Sequence, residues 1–307
     1  MTQESWFQRL WRLITPELIY LAICYIVDLA AAAYLNFSMG GEYSSGDFEK
    51  FTVVLSDKLI QYAVLLQTVA AFFSILILLR MYFKDYRKRR FVFERKGTAW
   101  PWWGLLIPIG VLVSLAGNLL INLTNLTEVS ENFEQSQKLL FSGPFVIQII
   151  GIGMIIPICE ELIYRGLIFM RMRQYCNVNL AIGLSALLFA AFHGNVVQGI
   201  YGFATGVLFA YVYEKYGSLK APVLVHVSAN LMSLGLSYVN PSFADRGRVF
   251  IAGIAAAAVW LLLLWAVDGH VGARRISLNN AGAAAGAHGK ALGVQHDARQ
   301  DGLRLHP

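Results

Sequence analysis

Ile155-Ile156-Pro157-Ile158-Cys159-Glu160-Glu161-Leu162-Ile163-Tyr164-Arg165-Gly166-Leu167-Ile168-Phe169 sets three ionisable side chains inside an otherwise apolar run. A charge near the middle of a bilayer costs at least ~2.5–3.5 kcal/mol on insertion scales, so such residues are kept for a reason. The stretch reads as a membrane-embedded helix that carries chemistry. Two further apolar segments each bring a histidine, His193 and His226.

The rest of the chain has the same character. It is 57% hydrophobic and 14% charged over 307 residues, with positive mean hydropathy. That is too apolar for a soluble protein and reads as a polytopic one. A span needs about 20 apolar residues. Eight segments qualify as predicted spans: 16–36, 59–83, 101–124, 145–170, 178–194, 196–214, 220–239 and 249–268. The expected fold is therefore all-α, a transmembrane bundle of about eight helices. Glu17 and Asp28 interrupt the first apolar run, which argues for a span and against a cleavable signal. The three cysteines, Cys24, Cys159 and Cys176, show no disulfide framework.

The formal charge of +6 is not a nucleic-acid footprint, because the basic residues sit in loops where they set orientation. Lys84, Arg87, Lys88, Arg89, Arg90, Arg95 and Lys96 follow the second predicted span. Arg9 and Arg12 precede the first, Arg171 and Arg173 follow the fourth, and Arg274 and Arg275 follow the eighth. With eight spans these share one side, so both termini are expected in the cytoplasm of what reads as a bacterial plasma-membrane protein.

Five regions follow from this reading. Residues 1–15 mix Trp6, Phe7, Leu10 and Trp11 with polar positions, as an interfacial segment does. Residues 16–144 hold three N-terminal spans and their loops, 145–240 the chemistry-bearing core, and 249–268 the last span. Residues 269–307 contain no Phe, Trp or Tyr and are expected to be a disordered cytoplasmic tail.

Within the core, helical neighbours lie about 100° apart, so Glu160 and Glu161 cannot share a face. Glu161 and Arg165 stand at i, i+4 with the acid first, the favourable order for an ion pair. Glu160 has no basic partner on its own helix, which suits it to proton transfer as a general base. His226 and Asn230 also stand at i, i+4 and share a face. A neutral imidazole and a carboxamide both offer N–H donors, as an oxyanion hole requires. Interhelical hydrogen bonding is the plainer use of such residues in membranes. Glu160 and His226 fall at similar depths. His193 fits only if the His193-Gly194-Asn195 turn lies within the membrane, which is allowed where backbone lines a wet cavity.

These elements resemble the CPBP intramembrane proteases, the ABI family related to CAAX prenyl endopeptidases. Glu160 to Arg165 is similar to the family's Glu-Glu-x-x-x-Arg element, Phe189 to His193 to its Phe-x-x-x-His, and His226 to Asn230 to its His-x-x-x-Asn. The resemblance covers roughly 145–236, and tyrosine stands at 164 where phenylalanine is common. It implies a core of helices four to seven and an endopeptidase acting on a membrane-associated protein or peptide. Glu160 and His193 would hold the attacking water, and His226 and Asn230 would bind the oxyanion. Glu161 and Arg165 would form a structural pair.

No cofactor is obligatory in this reading, although Glu160, His193 and His226 could hold zinc with one position open. Two other readings stay open from the sequence. One is an inactive membrane scaffold or bacteriocin-immunity protein that keeps these residues for packing. The other is a proton-coupled transporter with Glu160 and the histidines as a relay.

Overall fold

The computed structural model describes residues 4–39, 48–88, 93–95, 103–123, 136, 139–239 and 273–275. Among them are seven helices: α1 (Trp6–Met39), α2 (Phe48–Lys88), α3 (Leu106–Leu123), α4 (Phe145–Met172), α5 (Val178–Ala191), α6 (Val196–Tyr216) and α7 (Lys220–Val239). A short antiparallel pair, β1 (Phe93–Arg95) with β2 (Ala273–Arg275), joins two basic stretches distant in sequence. The architecture is all-α.

The expectation of about eight transmembrane helices fails. Among the described residues four helices are long and apolar enough to cross a membrane: Trp6–Met39, Glu49–Tyr86, Phe145–Met172 and Val196–Tyr216. The shortest has 21 residues, about 32 Å at 1.5 Å per residue, against a hydrocarbon core of ~30 Å. The predicted spans 101–124 and 178–194 contain only the shorter apolar helical runs Leu106–Asn118 and Val178–Ala191. Phe192 to Asn195 break the second, with Gly194 at φ +76°, and Asn195 then caps α6 by accepting from the Gln198 N–H. The predicted span 220–239 is helical, but His226, Ser228, Asn230, Ser233 and Ser237 dilute its apolar character. Predicted span 249–268 lies outside the described residues, as does the tail apart from β2.

The four long helices support an integral-membrane location. Large apolar side chains such as Leu21, Ile26, Leu29, Phe72, Phe73 and Leu76 are turned outward on α1 and α2. In water such a surface would be costly; in lipid it is the expected exterior.

α4 is the central element. Every residue from Leu162 to Phe169 is buried, and its core neighbours come from α1, α2, α5 and α6. A second apolar cluster ties α3, α6 and α7 together through Leu106, Ile109, Phe209 and Val225. Close approach depends on small residues. A Cβ at Gly110 would come within 2.3 Å of the Val225 carbonyl oxygen, so α3 meets α7 backbone to backbone there.

One end of the bundle is tied by charge. The Arg171 Nε donates to Asp85 Oδ2 at 2.8 Å, and the Arg173 Nη2 to Glu214 Oε1 at 3.0 Å. The Arg12 guanidinium donates to the Tyr175 hydroxyl at 2.9 Å, and that hydroxyl donates to Glu4 Oε2 at 2.7 Å. The Tyr175 bond, with the Arg12 charge, holds Glu4 below the usual carboxylate range, while burial and the same bond push Tyr175 up to about 12.

Candidate active site

The two adjacent acids of α4 take different directions. Glu161 is fully buried, and its Oε1 accepts from Arg165 Nη1 at 2.9 Å and from His226 Nδ1 at 2.8 Å. Arg165 is equally buried; its Nη2 donates to the Gly206 carbonyl at 2.9 Å, and its guanidinium carbon stands 4.5 Å from the Phe189 ring centre and 5.2 Å from that of Phe209. Such stacking on ring faces favours a cation. Gly206 belongs to this joint, because a Cβ there would meet Ala186 at 3.1 Å and Phe189 at 3.2 Å.

Glu160 instead faces a cavity of about 650 Å³, with Tyr164 one turn further along the same helix face. His193, His226 and Asn230 line that cavity too. The four sequence-predicted residues thus share one space, drawn from α4, the end of α5, and α7. Glu160 Oε2 stands 3.6 Å from His226 Nε2. The Phe209 ring stacks on His226 with centres 4.6 Å apart, and Phe189 packs edge-on against His193 at 4.5 Å.

Hydrogen bonding fixes both imidazoles. A carboxylate and a carbonyl can only accept. The His226 Nδ1–H therefore donates to Glu161, and the His193 Nδ1–H to the Phe189 carbonyl at 2.6 Å. Each ring keeps its Nε2 for other partners. A neutral His226 then offers Nε2 as an acceptor, and it becomes a donor to an oxyanion only when that nitrogen carries a second proton. The sequence reading, which used a neutral donor, could not see this because Glu161 and His226 lie 65 positions apart.

Asn230 has a further duty that its spacing did not reveal. Residues Gly151 to Ile155 form a π-helical turn, in which the Ile156 N–H bonds to the Gly151 carbonyl. The next N–H in that register would come from residue 157, which is proline and has none. The Ile152 carbonyl left over accepts from Asn230 Nδ2 at 2.9 Å. One amide hydrogen of Asn230 is spent there, and the other remains.

The first three helices also build the cavity. Glu17 and Tyr20 of α1, Gln67 of α2 and Asn118 of α3 line it. Glu17 is 4% exposed, and its Oε2 has no hydrogen-bond partner. The sequence signal was an acid inside the first apolar run. Asp28, the other acid in that run, is exposed, so the signal alone did not say which acid turns inward.

The donor types at Glu160, His193 and His226 are those zinc accepts, with Nε2 free on both rings. Among the described residues, however, no three His, Cys, Asp or Glu side chains gather at metal-holding distances. No step below is routed through a metal.

Residues 142–232 match the family model described as type II CAAX prenyl endopeptidase Rce1-like, which spans less than a third of the chain and contains all the cavity residues of α4 to α7 named above. The match is a similarity of this region to CAAX-type prenyl endopeptidases. No curated protein and no solved structure matches the chain. A CAAX-protease-like region with a buried His/Glu/Arg cluster is consistent with a hydrolase.

Proposed function

We propose that the chain is an intramembrane endopeptidase that hydrolyses a peptide bond of a membrane-associated protein or peptide. The observation that carries this reading is the placement of Glu160, His193, His226 and Asn230 on one cavity beside a sealed ion pair. Glu160 acts as general base and removes a proton from a water held against it and His193 Nε2. The hydroxide attacks the scissile carbonyl carbon. The oxyanion is bound by the free amide hydrogen of Asn230 and by the Nε2–H of a His226 that enters the reaction as the imidazolium, with Glu161 behind the ring. Collapse of the intermediate breaks the C–N bond, and the proton on Glu160 passes to the leaving amine. Glu161 and Arg165 hold His226 in position.

The grouping of Arg12, Arg171 and Arg173 with the ends of α1, α2, α4 and α6 supports a cytoplasmic location for that end of the bundle.

The test compares peptides released in membranes carrying the parent with those carrying Glu160→Gln. Products present only with the parent are expected, together with equal amounts of folded protein. Equal cleavage by both would reject the reading. Because no step uses a metal, 1,10-phenanthroline is expected to leave the rate of the purified parent unchanged; a loss restored by added zinc would replace this mechanism with a metal-assisted one.

A further inference from the structure

Glu17 is a buried acid whose position in the cavity the peptide-bond chemistry above does not use. It stands on α1, opposite α4, with an Oε2 that lacks a hydrogen-bond partner. Tyr164 and Glu160 of α4 line the same cavity. Arg165 spends Nη1 on Glu161 and Nη2 on the Gly206 carbonyl, while its Nε–H and Glu161 Oε2 are, like Glu17 Oε2, buried without a hydrogen-bond partner.

The surrounding wall is rich in acceptors. Glu17 and Glu160 are carboxyls, and both histidines spend their Nδ1–H groups on protein acceptors and turn Nε2 to other partners. Donors also line the wall, among them Gln67, Asn118, Tyr164 and Asn230, but none of them bonds Glu17 Oε2. A buried carboxyl with an unpartnered oxygen gains a hydrogen bond from a donor that enters the cavity. An ammonium or guanidinium satisfies it best, because it also offsets the neighbouring Glu160.

We propose that Glu17, with Tyr164, forms a specificity subsite on the α1 wall that takes a cationic group of the substrate: a lysine or arginine side chain, or a free amino terminus, near the scissile bond. This rests on the peptidase reading. Tyr164 lines the same cavity from α4, so the subsite draws on two helices.

The experiment uses the full chain in nanodiscs of uncharged lipid and two fluorescent apolar peptides, acetylated and amidated, that differ in one central residue, lysine or glutamine. Binding is read by anisotropy and product by mass spectrometry in the same samples. The parent is expected to bind the lysine peptide roughly tenfold more tightly, the scale of one charge-assisted contact. Glu17→Gln, nearly the same shape, should bind both peptides alike, and Tyr164→Phe should keep only part of the preference. Folding of each variant is checked by its melting temperature, and should Glu17→Gln not fold, Tyr164→Phe carries the comparison. A parent without preference, or a Glu17→Gln that keeps it, overturns the subsite. Selective binding with no product from either peptide would count against the peptidase and leave the subsite standing; product without selectivity would do the reverse.

Discussion

Glu161 is fully buried and shares its Oε1 between Arg165 and His226, whereas Glu160, the residue before it, faces a cavity of about 650 Å³ and stands 3.6 Å from His226 Nε2. The same helix therefore carries a closed face and an open one. On the closed face charge is neutralised by neighbours and by ring faces, so it contributes rigidity. On the open face a carboxylate keeps capacity for a ligand. His226 belongs to both, with Nδ1 on the closed side and Nε2 on the open side, and so couples the geometry of one to the chemistry of the other.

Breaking the closed face should have the largest effect. Arg165→Ala leaves Glu161 as a buried acid without its cation, and losses of about 3–5 kcal/mol are expected when one member of a buried pair is removed. The melting temperature in detergent and the amount of folded protein in membranes measure this. Glu160→Gln should leave both quantities close to the parent's while removing cleavage. If the two variants were equally destabilised, the division between the faces would be wrong.

Much of this division was legible in the sequence. The i, i+4 spacing of Glu161 with Arg165, and the lack of a cation for Glu160 on its own helix, were enough to separate the two acids. The positions of the helices were legible too, because apolar runs mark them. Their number as spans was not. Hydrophobicity alone could not tell that Gly194, at φ +76°, and the Asn195 cap would end α5 after 14 residues and start a new helix. Nor could it tell that α7 turns polar side chains toward the cavity. What escaped at the site was every relation set by tertiary contact. Glu161 fixes the His226 tautomer across 65 positions, Asn230 serves the carbonyl freed by Pro157 across 78, and Glu17 arrives from a helix with no motif.

Asn230 sharpens the comparison, since it too works on both faces. Asn230→Ala should cost about 1 kcal/mol of stability through the unpartnered Ile152 carbonyl. As an oxyanion donor it should cost far more in rate, about 10²–10³ in kcat. A variant that loses stability but cleaves at the parent's rate would confine Asn230 to the π-helical turn.

The smallest effect lies at the charged end of the bundle, where neither face of α4 is involved, and it calibrates the other two. Glu4, Arg12 and Tyr175 bind the start of α1 to the loop after α4, with side chains of Arg12 and Glu4 that are 29% and 39% exposed. Ion pairs at such exposure contribute within about 1 kcal/mol. The Tyr175 bond and Arg12 hold the Glu4 carboxyl below its ordinary value of 4.5, so the folded state binds this proton less readily than the unfolded chain. The stabilisation is accordingly complete above that ordinary value and is lost as pH falls through the lowered folded one. Glu4→Gln should remove it, lowering the melting temperature slightly at pH 7 and hardly at all in acid, with peptide cleavage at pH 7 unchanged. A drop in cleavage as large as that of Asn230→Ala would mean that the seating of α1 controls the cavity wall, and the open face would then extend through Glu17 to the membrane surface.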